Sequence, residues 1–157
     1  FRSANTARAE QLFAEPLFEI GNHGTRHHPL SVRGRSAYRI PGTASAAEAV
    51  DEVWRNHELI RSRTGIAPRW FRAGTAHYDD VAVSIVHDLG ECPLGFSVNG
   101  DGGATYPAHT VTREVGKVDA GGVVLAHMNQ PGSGTADGMI AAITSLQARG
   151  VRFVHVD

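Results

Sequence analysis

The sequence predicts an α/β fold made of parallel strand–helix units. Short apolar runs alternate at least four times with segments of helical period along the 157 residues. The helical segments are bracketed by Ser, Asp or Thr at their starts and Gly at their ends. A closed barrel of eight such units usually takes about 250 residues, so this length gives either an open sheet or part of a barrel. A single domain over 1–157 is expected, large enough for a real core.

The elements follow in order. Asn5 is placed to cap a short helix through Ala14, stopped by Pro16. "LFEIG" (Leu17 to Gly21) reads as a buried strand whose carboxyl end delivers His23, His27 and His28. A long loop with Gly, Pro and Arg runs to Ala44, and loops of this length are usually functional or mobile. Ser45 and Glu48 then have capping-box spacing, Ala46, Val50, Val53, Trp54 and Ile60 form an apolar face, and Gly65 closes the helix. "RWFRAGT" reads as a strand entering a loop. Asp79 and Asp80 start a helix with Val81, Ile85, Val86 and Leu89 inward, ended by Gly90. "CPLGFSV" is a third strand, Thr110 to Val115 a weaker helix, and "GGVVLAHM" a fourth strand. Thr135 is placed to cap a last helix with Met139, Ile143 and Leu146 inward, before a closing strand "VRFVHV".

Composition narrows the function. Apolar residues make up 41% and charged residues 20%, ordinary for a folded domain, and the net charge of −1 comes from interspersed signs. No basic field for nucleic acid stands out, and no apolar run is long enough for a membrane span. Cys92 is the sole cysteine, so neither an internal disulfide nor a thiolate metal cluster can form.

In parallel β/α architecture, chemistry collects at the carboxyl ends of strands. Each strand here ends in suitable residues: His23, His27 and His28; Arg72 with a Gly-Thr turn; Asn99 and Asp101; His127. His23 and His27 are four apart, a spacing that lets two imidazoles reach one ion, although loop histidines are often merely solvated. Arg72 follows Trp70 and Phe71, so it is half-buried and needs a carboxylate; a plain strand-end ion pair is the competing reading. His127 interrupts an apolar run, as a hydrogen-bonded core histidine also would. Asp101 in "VNGDGG" serves equally as turn chemistry.

"FEIGNHGTRHHPLS", "WFRAGTAHYDDVA", "GFSVNGDGG" and "VVLAHMNQPGSGT" together resemble, in order, the later motifs of the polysaccharide deacetylases of carbohydrate esterase family four. The resemblance implies part of a distorted (β/α) barrel and a hydrolase that removes N- or O-acetyl groups from carbohydrate with one divalent metal, commonly Zn2+. It implies that His23 and His27 are metal ligands, with Gly24 where Ser or Thr is usual. Arg72 would orient the catalytic base, and the Thr75 N–H would meet the oxyanion. His127 would be the catalytic acid, oriented by Asp101 or by its rival Asn99. His77 and Tyr78 would touch substrate. The setting it suggests is secreted or cell-envelope.

One departure is large. The family's first motif, an Asp-Asp strand end carrying the base and the third metal ligand, has no counterpart here. The 22 residues before His23 contain no aspartate, and their acids are Glu10, Glu15 and Glu19. The expectation is therefore a deacetylase domain without its first βα segment, or with that segment on a separate chain. The competing expectation is a non-catalytic relative that holds sugar in a groove of Tyr38, Trp70, His77 and Tyr78. A structural metal domain would need a fourth ligand that the sequence does not offer.

Overall fold

A computed structural model describes residues 6–156. The chain divides into two compact units, residues 6–95 and residues 96–156, each with its own apolar cluster. The proposed Asn5 cap lies outside the described residues.

In the unit of residues 6–95, helix α1 spans Thr6–Ala14 and helix α2 spans Ala46–Thr64. The Ser45 hydroxyl accepts the Glu48 N–H at 3.2 Å, while the Glu48 carboxylate reaches back to the Ala44 N–H at 2.9 Å. These contacts hold N–H groups that a helix start otherwise leaves bare. At the other end Gly65 takes φ 74° and returns its N–H to the Arg61 carbonyl. Strand β1 (Trp70–Phe71) pairs in parallel with β2 (Cys92–Pro93), Trp70 opposite Cys92. Helix α3 (Asp80–Asp88) lies between them in sequence, and the Asp79 side chain caps it through the Ala82 N–H. Leu30, Ala49, Val53, Phe71, Ala73, Ala82 and Val86 form the core, their burial supplying most of the driving force for this unit.

In the unit of residues 96–156, β3 (Val98–Asn99) pairs in parallel with β4 (Val124–Leu125). Helix α4 (Ala108–Val115) packs on α5 (Thr135–Ala148), with Val111, Val115, Ala142 and Leu146 buried between them. The parallel α/β class is thus present, in strands of two residues.

Several details depart from the sequence reading. Leu17 to Gly21 forms no strand; the pairing begins one residue later, where Asn22 bridges Phe71. Leu17 and Phe18 are exposed, so apolarity alone did not produce a ladder among the described residues. Among the described residues "VRFVHV" is not a strand either, and Phe153 and Val154 are exposed. "CPLGFSV" splits into two strands that belong to different units. The buried face of α2 is Ala49, Glu52, Val53, Asn56, His57 and Ile60, rotated from the expected stripe, and Trp54 is exposed. That face escaped apolar periodicity because half of it is polar. On α3, Ala82 and Val86 are buried while Val81 is exposed. Helix α4 starts at Ala108, two residues before the expected start. Thr135 is the first residue of α5, after Gly134, and caps nothing.

Candidate functional site

His23 follows the bridge residue Asn22, whose backbone is locked to β1 by Asn22 N–H to Trp70 O (2.7 Å) and Arg72 N–H to Asn22 O (2.9 Å). His23 Nδ1 lies 2.8 Å from the Arg72 carbonyl. A carbonyl only accepts, so the proton sits on Nδ1 and the lone pair on Nε2, the arrangement seen where imidazoles bind metals. The His23 and His27 rings meet edge-on with centroids 4.9 Å apart.

The loop between the two rings is held by a residue that the sequence reading passed over. Glu52 is 1% exposed, yet its carboxylate accepts the Arg26 N–H at 2.9 and 3.1 Å and the His28 N–H at 3.2 Å. The Glu52 carbonyl takes the Thr25 N–H and hydroxyl. Arg26 approaches the same carboxylate at 3.6 Å. A buried carboxylate is tolerated because donors surround it. Gly24 makes room: at φ 81° it is left-handed, and a Cβ there would stand 2.5 Å from Glu52 Oε1. Gly74 is needed for a second reason, since a Cβ on it would collide with the His27 backbone. His27 itself is left-handed, with φ 64°. An acid on the otherwise buried side of α2 was the signal for Glu52.

Below the loop lies a second polar cluster. Asn22 Nδ2 donates to the Val53 carbonyl and to Glu91 Oε1, both at 2.9 Å, and Asn56 Nδ2 donates to Asn22 Oδ1 at 2.7 Å. His57 Nδ1 is 2.7 Å from Glu91 Oε1, and the exposed Trp54 stacks on the His57 ring. Burial pushes the Glu91 carboxyl up, against the pull of Asn22 and His57.

Arg72 is half-buried, and its Nε has no acceptor among the described residues. Burial lowers its pKa, with the Tyr78 phenol opposing that. The carboxylate that the sequence reading asked for is not among the described residues. Thr75 sits in a tight turn closed by Ala76 N–H to Ala73 O, with its hydroxyl buried and without a partner among the described residues. His77 is exposed, its Nδ1 2.7 Å from the Thr75 carbonyl. Tyr78 is partly buried against the core, and its hydroxyl donates to the Phe71 carbonyl and accepts the Ala73 N–H. Burial raises the Tyr78 phenol. Trp70 faces the Arg69 guanidinium at 5.2 Å, and its own N–H is buried without an acceptor among the described residues.

The other unit holds Asp101, fully buried, and His127, one third exposed. Asp101 Oδ1 meets His127 Nδ1 at 2.8 Å, and Oδ2 accepts the His127 backbone N–H at 2.6 Å. The Thr135 hydroxyl donates to Oδ2 at 3.0 Å, and the Gly103 N–H to Oδ1 at 3.1 Å. Residues 102–104 all have positive φ, which turns this stretch of backbone around the carboxylate. Burial pushes the Asp101 carboxyl up, but the His127 and Thr135 donors and the Ala104 N–H outweigh it and leave the pKa lowered. Asn99 instead accepts the Gly102 N–H, so it serves the turn and not the ring. Thr135, expected as a cap, is a partner of this pair; its place at the first turn of α5 gave no sign of it.

Could these residues hold a metal? His23 and His27 offer two nitrogen donors from one turn, which suits a zinc-like ion. Among the described residues no group of three His, Cys, Asp or Glu side chains is assembled for an ion. The two rings therefore fit as part of a ligand set, and the set needs a third group.

The sequence profile described as polysaccharide deacetylase matches residues 3–91. The chain is 24% identical over 147 residues to the uncharacterized protein YlxY of Bacillus subtilis (strain 168), covering 93% of this chain and 42% of that protein. Its fold matches a carbohydrate esterase family four pseudoenzyme, BA3943 from Bacillus anthracis, with TM-score 0.77 and 23% identity over 96% of this chain and 49% of that one. It also matches a family four acetyl xylan esterase from Clostridium thermocellum, solved with a cobalt ion, with TM-score 0.78 and 18% identity over 96% of this chain and 67% of that one. The chain thus spans about half the length of the first two. At these identities the solved structures establish the fold, an α/β arrangement corresponding to part of the esterase barrel.

Proposed function

This chain belongs to the polysaccharide deacetylase family, and from that premise we propose that it carries one part of a metal-dependent hydrolase that removes acetyl groups from N- or O-acetylated carbohydrate. The observation that carries the proposal is the histidine pair: two rings 4.9 Å apart, one with Nδ1 set on the Arg72 carbonyl, on a loop held by a buried carboxylate. His23 and His27 would hold one divalent ion, most simply Zn2+. When bound, such an ion supplies carbonyl polarisation and a more acidic water.

The remaining roles fall to this chain's own groups. The Arg72 guanidinium, with its buried and unpartnered Nε, is suited to fix a carboxylate that acts as general base. That carboxylate, and the third ligand, would come from a separate or preceding segment of the same protein. The Thr75 N–H would donate to the developing oxyanion. His127 would pass a proton from Nε2 to the leaving group, while Asp101 holds its Nδ1 and thereby its ring plane. His77 and Tyr78 would flank substrate, His77 as an exposed ring and Tyr78 at the edge of a small cleft.

The test is zinc titration by calorimetry. His23→Ala and His27→Ala should each lower affinity by about 100-fold or more, since each removes a direct ligand. Tight binding retained in both variants would sink the proposal. A second reading, a non-catalytic carbohydrate-binding relative, is favoured by the incomplete ligand set and by the pseudoenzyme among the structural relatives. Adding the aspartate segment and measuring acetate release from N-acetylated oligosaccharide separates the two. Release supports the hydrolase, and glycan binding without release supports the relative.

A further inference from the structure

We propose that the turn at Tyr38 and Arg39 is a glycan-binding ledge selective for acidic, carboxylate-bearing sugars; this deepens the deacetylase reading above and rests on it for the glycan.

The observation is a strained turn with an unusual occupant. Ala37 and Ile40 pair through two hydrogen bonds, 3.1 and 2.9 Å, around a two-residue loop. Tyr38 and Arg39 both have positive φ, 51° and 64°. This is the type I′ hairpin turn, for which Asn-Gly is the preferred pair because bulky side chains resist that backbone. A tyrosine and an arginine are held there instead, and burial gives nothing in return: Tyr38 is 78% exposed. Its ring contact is edge-on to His77, 5.3 Å between centroids. His77 in turn hydrogen-bonds to the Thr75 carbonyl, so the ledge adjoins the turn proposed to meet the oxyanion. A strained, solvent-facing aromatic points to a role in recognition. Tyrosine offers a flat apolar face with a polar tip, which matches a pyranose ring.

Charge sets the kind of sugar. From Ile20 to Ala47 the chain has four arginines, Arg26, Arg33, Arg35 and Arg39, and no acid. Arg26 is turned to Glu52. Among the described residues, none of Arg33, Arg35 and Arg39 is in an ion pair. Arg33 and Arg35 line a cleft of about 160 Å³ with Tyr78, Asp79 and Asp80. Asp79 is kept anionic by the Ser31 hydroxyl, the Val32 and Ala82 N–H groups and Arg33. The two acids therefore balance the two guanidinium groups in that cleft, and the cation left for a ligand is Arg39, beside Tyr38. The guanidinium fork suits carboxylates, and the Arg39 fork lies next to an exposed ring on a loop without acids of its own.

The test uses the 157-residue chain and two N-acetylated hexasaccharides: one from hyaluronan, which alternates glucuronate with N-acetylglucosamine, and neutral chitohexaose. Binding is read by calorimetry. The hyaluronan fragment should bind about tenfold tighter at low salt, the value of one charge-assisted contact, and lose that margin as salt rises. The double variant Tyr38→Asn/Arg39→Gly should melt at a higher temperature than the parent and lose affinity for both sugars. Arg39→Gln should keep chitohexaose binding and shrink the preference. Equal affinity of the parent for both sugars, no binding of either, or undiminished hyaluronan binding by the double variant would each overturn the proposal. Binding is measured without hydrolysis, so failure to release acetate would remove the deacetylase reading and leave this result standing.

Discussion

Asp101 and Glu91 are buried carboxylates, one in each compact unit, and their surroundings treat them in opposite ways. Asp101 accepts from the His127 ring and backbone, the Thr135 hydroxyl and the Gly103 N–H, and its pKa is lowered despite burial. Among the described residues Glu91 has donors on Oε1 and none on its buried Oε2, and burial raises its pKa. The contrast extends to the units. Among the described residues, the buried side-chain atoms without partners are Trp70 Nε1, Arg72 Nε, Thr75 Oγ1 and Glu91 Oε2, all in residues 6–95. The acid–histidine pair is internally complete, whereas the histidine-loop unit keeps polar groups that its own side chains do not meet. Satisfied buried networks rigidify, whereas an unpaired polar group in the same low dielectric is costly.

The comparison breaks most sharply at Asp101. Asp101→Ala empties a fully buried position and takes the acceptor from two His127 donors, the Thr135 hydroxyl and the Gly103 N–H. His127 and Gly103 keep some access to water, so the change should cost about 2–4 kcal/mol in urea denaturation. A loss below about 1 kcal/mol would show that the network is peripheral. The pH dependence has a definite sign. A lowered folded pKa means that Asp101 stabilises fully above its unfolded value of about 3.9, and that this is lost as pH falls through the lower folded value. The acid limb of the stability curve should therefore flatten in Asp101→Asn.

Glu52→Ala comes next, at about 2–4 kcal/mol, because the Arg26 and His28 N–H groups lose their buried acceptor. The same change should weaken zinc binding by roughly 10–100-fold, the usual effect of removing support one shell out from a metal. Glu52→Gln keeps one acceptor and should fall between. Unchanged zinc affinity in Glu52→Ala, in a protein that still folds, would mean that the Thr25 contacts to the residue 52 carbonyl and the loop glycines hold the loop without the carboxylate. In the other unit, Thr135→Val deletes a single donor to Asp101 and should cost about 1.5 kcal/mol, with the Asp101 pKa moving up towards its ordinary value. Carboxyl chemical shifts across an acid titration would show it.

How far these contacts could be read from the sequence follows from their range. Helices α2, α3 and α5 were legible because caps and apolar spacing are local: Ser45 with Glu48, Asp79 with Ala82, and Gly65 all act within four residues. The strands were less so, since a strand depends on a distant backbone to receive it, and among the described residues Leu17 to Gly21 and Val151 to Val156 are not assigned as strand. Of the site, the histidine spacing, Arg72 and the Asp101–His127 pair were visible as motif pieces. Glu52, Asn22 and Thr135 were not. Glu52 meets residues 24 and 26 positions away and Thr135 meets one 34 away, and each has a common local role, helix acid or helix cap, that hides the distant one.

The finest test lies at Glu91, where the expected change at neutral pH is small and its sign is informative. In Glu91→Gln the amide oxygen can keep accepting from Asn22 Nδ2 and His57 Nδ1, and the new NH2 takes the place of Oε2, which has no donor to lose. The cost at pH 7 should stay within about 1 kcal/mol. A raised folded pKa makes Glu91 most favourable to folding below its unfolded value of about 4.3, with that contribution lost as pH rises through the folded value. Between those two values the parent should lose stability relative to Glu91→Gln, the reverse of Asp101, for which the parent loses it on acidification. A parent that gains stability over Glu91→Gln across that rise would mean that His57 holds Glu91 as an anion, making the pair a buried ion pair. The two units would then differ in the number of donors around their carboxylates and not in the charge they keep.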